Sequence, residues 1–153
     1  MNRELIIGID PGESGGVSFF FEDGPIVSAT PATPRDLLDL FNKTISAKIG
    51  RWDSYCPFAY IEKVHSSPQM GVTSAFTFGQ GYGSLLMLLT CLNIAFEQVT
   101  PQKWQKAMGC MSKGDKNVTK RRAQELFPEL KITHATADAL LIGEYGRRLR
   151  AGL

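Results

Sequence analysis

The feature that most constrains the fold is a series of three short apolar segments at the N-terminus, separated by turn signals. Residues 4–10 (ELIIGID) and 17–21 (VSFFF) are apolar and rich in β-branched or aromatic side chains, which is typical of buried strands. Glycines at positions 12, 15 and 16 predict a turn between them, and Asp23-Gly24 predicts a hairpin leading to a third strand near residues 26–29. The chain is therefore expected to begin with an antiparallel meander.

The remainder of the chain mixes helical and strand patterns. Apolar residues recur at helical spacing after Thr33-Pro34, which predicts an N-cap followed by proline at the first helical position. Further strands are predicted at 58–62 and 94–99, and helices at 72–92, after Thr100-Pro101, at 118–127, and from Thr133 or His134 to Arg150. Trp52 and Trp104 are expected to be packing residues. Helices and strands mixed in this way predict an α/β or α+β fold.

Composition limits the class of protein. With 153 residues, of which 43% are hydrophobic and 21% charged, one globular domain over residues 1–153 is expected. No apolar run is long enough for a membrane span, and the N-terminal residues, without a small-residue cleavage site, are not expected to form a secretion signal. The three cysteines form no CxxC motif, which argues against a disulfide scaffold or a thiolate zinc site and favours the reducing cytoplasm.

Charge is unevenly distributed along the chain. The formal net charge is only +2, yet the segment from Lys103 to Arg122 holds seven basic residues and one acidic residue. Three more arginines lie near the C-terminus, at positions 147, 148 and 150. Basic charge gathered in one stretch favours binding of a polyanion such as DNA, although a solvated helix face would have the same composition.

Two acidic residues close predicted strands in the same manner. Asp10 follows the first apolar strand, and Glu62 follows the strand at 58–62. If these strands are neighbours, the two carboxylates face each other, and at about 4 Å they would repel by roughly 4 kcal/mol at an effective dielectric constant near 20. Protonation of one acid or binding of a cation would relieve that repulsion. The alternative is that each acid simply ends its strand at the surface.

A third acid lies in an apolar context near the C-terminus. Asp138 is flanked by small residues in HATADALLI, which should let this helix approach a sheet closely, and His134, four positions earlier, shares its helix face. A buried carboxylate needs a partner, which could be a structural arginine or lysine or a metal ion. Asp10, Glu62, Asp138 and His134 together offer oxygen ligands and one imidazole, a set that suits Mg²⁺ or Mn²⁺ better than zinc.

Several motifs in their order along the chain resemble the RuvC family of Holliday-junction resolvases, over approximately residues 4–146. They are GIDPG at 8–12, IEKV at 61–64, FxFGxxxG at 76–83, TPxxW at 100–104, LFP at 126–128 and HxxxDAL at 134–140. GIDPG alone also occurs in actin-like ATPase domains, but that architecture normally needs two such domains, for which 153 residues are too few. The short length and the loop after Glu62 look most like phage or prophage members.

The resemblance implies an α/β fold of the RNase H-like type. Its five-stranded mixed sheet has three antiparallel plus two parallel strands and is flanked by helices. It also implies a homodimeric endonuclease that nicks four-way junctions, and possible action on forks and flaps. Two Mg²⁺ ions per active site, replaceable by Mn²⁺, would activate a water for phosphodiester hydrolysis and leave 5′-phosphate ends.

Carried over to this chain, the resemblance assigns Asp10, Glu62 and Asp138 as metal carboxylates and catalytic residues. His134 stands where family members have a further Asp or His, although in several members that ligand lies three residues before the last Asp, where this chain has Ala135. Lys116 matches a lysine near the scissile phosphate and is assigned a catalytic role.

The resemblance also suggests DNA contacts. His65 matches an aromatic residue that stacks on junction bases; because imidazole stacks less well than phenyl, Phe76 or Met70 could take over that role. Otherwise Phe76, Phe78 and residues 85–89 are expected in the core or a dimer interface. The predicted DNA-binding residues are His65, Lys103, Lys106, Lys113, Lys116, Lys120 and Arg121. Two other functions stay open: a non-catalytic branched-DNA-binding protein and an actin-like phosphate-binding ATPase domain.

Overall fold

The computed structural model describes residues 3–49 and 55–153, which form five strands and five helices. In chain order these are β1 (Arg3–Asp10), β2 (Gly16–Phe21), β3 (Gly24–Ala29), α1 (Pro34–Ile49), β4 (Tyr55–Glu62), α2 (Val72–Cys91), β5 (Ala95–Val99), α3 (Pro101–Met108), α4 (Lys116–Leu126) and α5 (His134–Arg150). Trp52 lies outside the described residues. Across the described ranges, no helix combines the length and the apolar composition needed to cross a membrane.

The five strands form one mixed sheet in the order β3-β2-β1-β4-β5. β1, β2 and β3 pair antiparallel, whereas β1–β4 and β4–β5 are parallel pairs. The predicted sheet of three antiparallel plus two parallel strands is therefore confirmed. Ile9 pairs with Ile61 in the β1–β4 register. The next residues, Asp10 and Glu62, therefore lie side by side at the same edge of the sheet.

Strand alternation divides the core between the two faces of the sheet. Leu5, Ile7 and Ile9 pack on one face with buried residues of α1 and α2. Ile6 packs on the opposite face with buried residues of α3, α4 and α5. Because side chains alternate along a strand, Asp10 shares its side of β1 with Ile6 and is directed toward α3, α4 and α5.

Helix α5 lies unusually close to the sheet. A Cβ atom at Gly8 would be 2.3 Å from the backbone nitrogen of Gly143, so only glycine fits at this crossing. The hydroxyl of Ser18 donates a 2.6 Å hydrogen bond to the carbonyl of Ala139, which joins β2 to α5. Small residues on α5 were expected to permit a close approach, and Ala139 and Gly143 confirm it.

Local signals predicted most helix starts. Thr33 and Thr100 accept hydrogen bonds from backbone amides three residues later, as expected for N-caps. Helix α4, however, begins at Lys116 rather than at 118, because the Asp115 carboxylate accepts a 2.9 Å hydrogen bond from the amide of Asn117 and caps the helix earlier.

The predicted hairpin is shifted by one residue. The two-residue loop between β2 and β3 consists of Glu22 and Asp23, since Phe21 already pairs with Gly24. Gly24 has φ +119°, a conformation that side-chain-bearing residues rarely adopt. Glycine is therefore needed at the first residue of β3 rather than within the loop.

Candidate active site

Three carboxylates from distant parts of the sequence meet at one edge of the sheet. Asp10 and Glu62 end the adjacent parallel strands β1 and β4, and Asp138 lies one turn into α5 on the same face. The charge of Asp138 raises the pKa of both Asp10 and Glu62, which places the three groups within electrostatic reach of one another. The three acids therefore lie near one another at this edge, and their roles as metal ligands stay a prediction.

Asp10 is the most strongly perturbed of the three acids. Burial raises its pKa well above the ordinary carboxyl value, and the charges of Asp138 and Glu62 raise it further. Lys116 acts in the opposite direction and lowers it. A carboxyl group held this way favours either a proton or a nearby cation.

Glu62 is held by a neutral donor. The indole Nε1–H of Trp104 donates a 2.7 Å hydrogen bond to Oε2 of Glu62. Burial raises the pKa of Glu62, Trp104 lowers it through this hydrogen bond, Asp138 raises it and Lys116 lowers it. One oxygen of this partly buried carboxylate therefore accepts a hydrogen bond from an uncharged donor.

Asp138 has an unsatisfied oxygen. Its Oδ1 atom is buried and has no hydrogen-bond partner among the described residues. Burial raises the pKa of Asp138, while Thr119, by hydrogen bonding, and the charges of Lys116 and His134 lower it. A buried carboxylate oxygen without a partner is costly, which points to a ligand that completes the site.

None of the three acids forms a salt bridge with a described residue; the ion pairs within residues 3–49 and 55–153 involve other acids. The structural ion pair considered for Asp138 is therefore not found there. Among the described residues, Lys116 acts on all three acids through its charge without forming a salt bridge.

Lys116 faces this acidic cluster from the first residue of α4. Its charge lowers the pKa of all three acids. A cation in the first turn of a helix opposes the helix dipole, which typically costs about 0.3–1 kcal/mol. The placement is therefore better explained by interactions with the acids than by stability of α4.

A cavity of about 460 Å³ opens beside the carboxylates. Glu62 and Asp138 form part of its wall, together with Lys113, Lys116 and Thr119, whereas Asp10 does not line it. The glutamines Gln102 and Gln105 of α3 also line it. The cavity thus brings carboxylate oxygens and lysine side chains to one space.

The chemistry of the donors fits divalent cations. The cluster supplies carboxylate oxygens, the ligands that Mg²⁺ and Mn²⁺ prefer, and Asp138 Oδ1 is a buried oxygen without a partner. In the described part of the chain, no three His, Cys, Asp or Glu side chains are close enough as arranged to hold one ion. A shared ion would therefore require the carboxylates to close around it.

The remaining predicted site residues lie outside the group formed by Asp10, Glu62 and Asp138. His134 is exposed at the first position of α5, near enough for its charge to lower the pKa of Asp138. His65 is exposed in the loop after β4. Lys103 pairs with Glu97 at 3.4 Å on the surface. The outer basic positions are Lys106 on α3 and Lys120 and Arg121 on α4.

Two residues near the acids escaped the sequence reasoning. Trp104 is fully buried, as expected for packing, but its indole also binds Glu62. Thr119 is buried in α4 beside Asp138. The sequence signal for Trp104 was its place in the TPxxW motif that follows the last strand, and this motif does not reveal a partner 42 residues away.

Comparisons with known proteins bear on the fold. No protein-family model matches the chain, and neither does any curated protein. Among solved structures, RuvC of T. thermophilus in complex with a Holliday junction substrate is similar, with a TM-score of 0.61 and 16% identity over 97% of this chain and 96% of that one. A second Thermus thermophilus RuvC structure has a TM-score of 0.59 at the same identity and coverage.

A eukaryotic protein has a related architecture. The yeast mitochondrial Holliday junction resolvase is similar with a TM-score of 0.53 and 15% identity, over 98% of this chain and 80% of that chain. At 15–16% identity, these comparisons bear on the fold alone. This protein therefore has the fold of the RuvC-type Holliday junction resolvases.

Proposed function

We propose that this protein is a structure-selective endonuclease that resolves Holliday junctions and other branched DNA by hydrolysis dependent on Mg²⁺. The observation that carries the proposal is the meeting of Asp10, Glu62 and Asp138 at one sheet edge without a salt-bridge partner among the described residues. The fold shared with a RuvC bound to a junction supports the choice of substrate. We infer one nuclease domain over residues 1–153, acting in the cytoplasm.

The proposed chemistry assigns a part to each charged residue. Bound divalent ions would supply activation of water and stabilisation of the leaving oxygen. Asp10, Glu62 and Asp138 would hold those ions, with His134 as a candidate fourth ligand. Lys116, which lines the cavity beside Glu62 and Asp138, would bind the scissile phosphate and stabilise the charge that develops on it.

Positive charge around the cavity supports binding of the DNA backbone. Lys113 lines the cavity, and Lys120 and Arg121 follow Lys116 on α4. Lys103 and Lys106 extend the basic surface along α3. Phosphate contacts of this kind position the duplex without reading its sequence, so they suit recognition of branch shape. His65 is the candidate for stacking on an exposed base.

Helix α2 supports assembly as a homodimer. Its 20 residues include no charged side chain, yet its outer face exposes Val72, Phe76 and Met87 at 88%, 67% and 63%. Gly79 and Gly83 lie between them on this face, where an added Cβ would meet nothing within 4 Å in one protomer. An exposed apolar stripe with small residues is suited to pack against its copy about a twofold axis. Two protomers would provide the two active sites that paired nicking requires.

The test is cleavage of labelled four-way junctions, forks and flaps, with linear duplex as the reference substrate. We expect nicks near the branch point in Mg²⁺ or Mn²⁺, none in EDTA, and 5′-phosphate ends at the cuts. Asp10→Asn should bind the junction with affinity close to wild type but cut at least 100-fold more slowly, since a required carboxylate is lost.

The other outcomes identify the alternatives. Tight junction binding without any cut in either metal would favour the non-catalytic branched-DNA-binding protein. Saturable binding of ATP by titration, without junction binding, would favour the actin-like phosphate-binding domain. Equal cutting of linear and branched DNA would contradict selectivity for structure while leaving the nuclease proposal in place.

A further inference from the structure

We propose that Trp104 is a positioning residue that holds the Glu62 carboxylate in one orientation, with Oε2 engaged and Oε1 left toward the cavity. The inference rests on the proposed function, because it assigns a role to a residue within that site. It changes the interpretation of Trp104 from a packing residue to one that also orients a catalytic acid.

The backbone fixes Trp104 relative to Glu62. Glu62 pairs with Val99 in the register of β4 and β5, and the amide of Lys63 donates a 2.7 Å hydrogen bond to the carbonyl of Val99. Helix α3 starts immediately afterwards, with Thr100 as its N-cap. Trp104 is therefore carried on a short rigid connection from the residue beside Glu62.

Packing holds the indole itself. Trp104 is fully buried, as is Met108 one turn later on α3, and both belong to the core cluster beneath α5. An indole so enclosed has little freedom to rotate, so the direction of its N–H is set by the core. A buried N–H without an acceptor is unfavourable, and Glu62 is the acceptor.

The neutrality of the donor matters for the site. An arginine or lysine in place of Trp104 would orient Glu62 but would also cancel its charge and compete with a cation. Indole donates one hydrogen bond and has no charge, so it orients the carboxylate while leaving its negative charge available. Outer partners that orient metal-binding groups typically contribute 10- to 100-fold to metal affinity or activity.

The decisive experiment removes the indole N–H of Trp104 and keeps the shape of its ring. Benzothienylalanine at position 104, in which sulfur replaces the indole NH, preserves the bicyclic ring, and Trp104→Phe provides a simpler second variant. Junction cleavage is measured over a range of Mg²⁺ concentrations, together with thermal unfolding. Met108→Ala is the matched control, because it weakens the same core from the same helix but makes no hydrogen bond to an acid.

We expect both Trp104 variants to need about 10- to 100-fold more Mg²⁺ for half-maximal cleavage. Met108→Ala should lower the melting temperature at least as much as the Trp104 variants, yet keep the wild-type Mg²⁺ dependence. If Met108→Ala shifts the Mg²⁺ dependence equally, or if the Trp104 variants do not shift it, the positioning role is wrong.

A spectroscopic measurement tests the contact independently of activity. The indole ¹H–¹⁵N resonance of Trp104, assigned by its loss in Trp104→Phe or in the benzothienylalanine protein, should move upfield in Glu62→Ala because the charged acceptor is gone. An unchanged resonance would overturn the inference. If wild type cuts junctions but neither the Mg²⁺ dependence nor the indole resonance shifts in the variants, the inference fails and the proposed function stands. If wild type never cuts junctions, the proposed function fails.

Discussion

Gly8 in β1 and Gly143 in α5 lie so close that a Cβ atom added to Gly8 would be 2.3 Å from the Gly143 nitrogen and 2.4 Å from the carbonyl oxygen of Ala139. Both obstacles are backbone atoms, which cannot rotate away. This crossing lies two residues from Asp10 along β1 and brings α5, which carries Asp138, onto the same sheet edge. The absence of a side chain at Gly8 thus lets α5 lie close to the sheet, with Asp138 within electrostatic reach of Asp10.

Gly8→Ala is predicted to destabilise the protein by about 3 kcal/mol or more, at the upper end of overpacking effects, because α5 must move off the sheet. Chemical denaturation measures the loss. Gly81→Ala is the control: it lies in α2 with nothing within 4 Å of an added Cβ and should be neutral or stabilising by about 0.5–1 kcal/mol. Equal stability of Gly8→Ala and wild type would contradict the close approach.

Asp10→Asn is predicted to stabilise the metal-free protein at neutral pH. The folded state raises the pKa of Asp10, so it holds this proton more tightly than the unfolded chain does. Stability therefore falls as pH rises from about 4, the ordinary carboxyl value, through the raised pKa of the folded state. Asparagine removes that penalty, so the gain should appear across this window and vanish below it.

The measurement is thermal unfolding in EDTA from pH 3 to pH 8. At pH 7 the melting temperature should rise by at least about 2–4 °C, the shift that 1 kcal/mol produces in a domain of this size. Glu13→Gln, at an exposed position outside the cluster, should show no such pH-dependent gain. A lower melting temperature for Asp10→Asn at neutral pH would mean that a cationic partner stabilises the carboxylate.

Lys116→Ala is predicted to slow junction cleavage by about 100- to 1000-fold, the usual cost of removing one donor to developing negative charge. Single-turnover cleavage at saturating protein separates this step from binding. Lys106→Ala, an exposed lysine of α3 that does not line the cavity, should change the rate by less than threefold. Similar rates for the two variants would remove Lys116 from the catalytic set.

Met87→Glu is predicted to convert a dimer into a monomer, because a charge would be buried in the apolar face of α2. Sedimentation should give about twice the 16.9 kDa chain mass for wild type and the single-chain mass for the variant. The side chain is 63% exposed in one protomer, so folding should be affected by less than about 0.5 kcal/mol. Leu153→Glu, at a position of the C-terminus that is 83% exposed and lies outside α2, should stay dimeric. A monomeric wild type would contradict the proposed interface.

Much of this architecture could be predicted from short-range patterns. The apolar strands ending in Asp10 and Glu62, the threonine N-caps, and the small residues that let α5 approach the sheet are all local in sequence. These patterns reflect strand propensity, capping and side-chain size, which can be read from residues close together in the sequence. The errors were equally local: capping by Asp115 starts α4 earlier, and the requirement for positive φ at Gly24 shifts the hairpin by one residue.

What only the tertiary structure decided is which distant groups share one space. Asp138 could have met an arginine, and nothing in its neighbourhood along the chain excluded that. The hydrogen bond from Trp104 to Glu62 joins residues 42 positions apart and exists because parallel pairing of β4 with β5 brings α3 against the end of β4. Local sequence sets which elements form and which faces are apolar, whereas strand order and helix packing determine which charged side chains lie near one another.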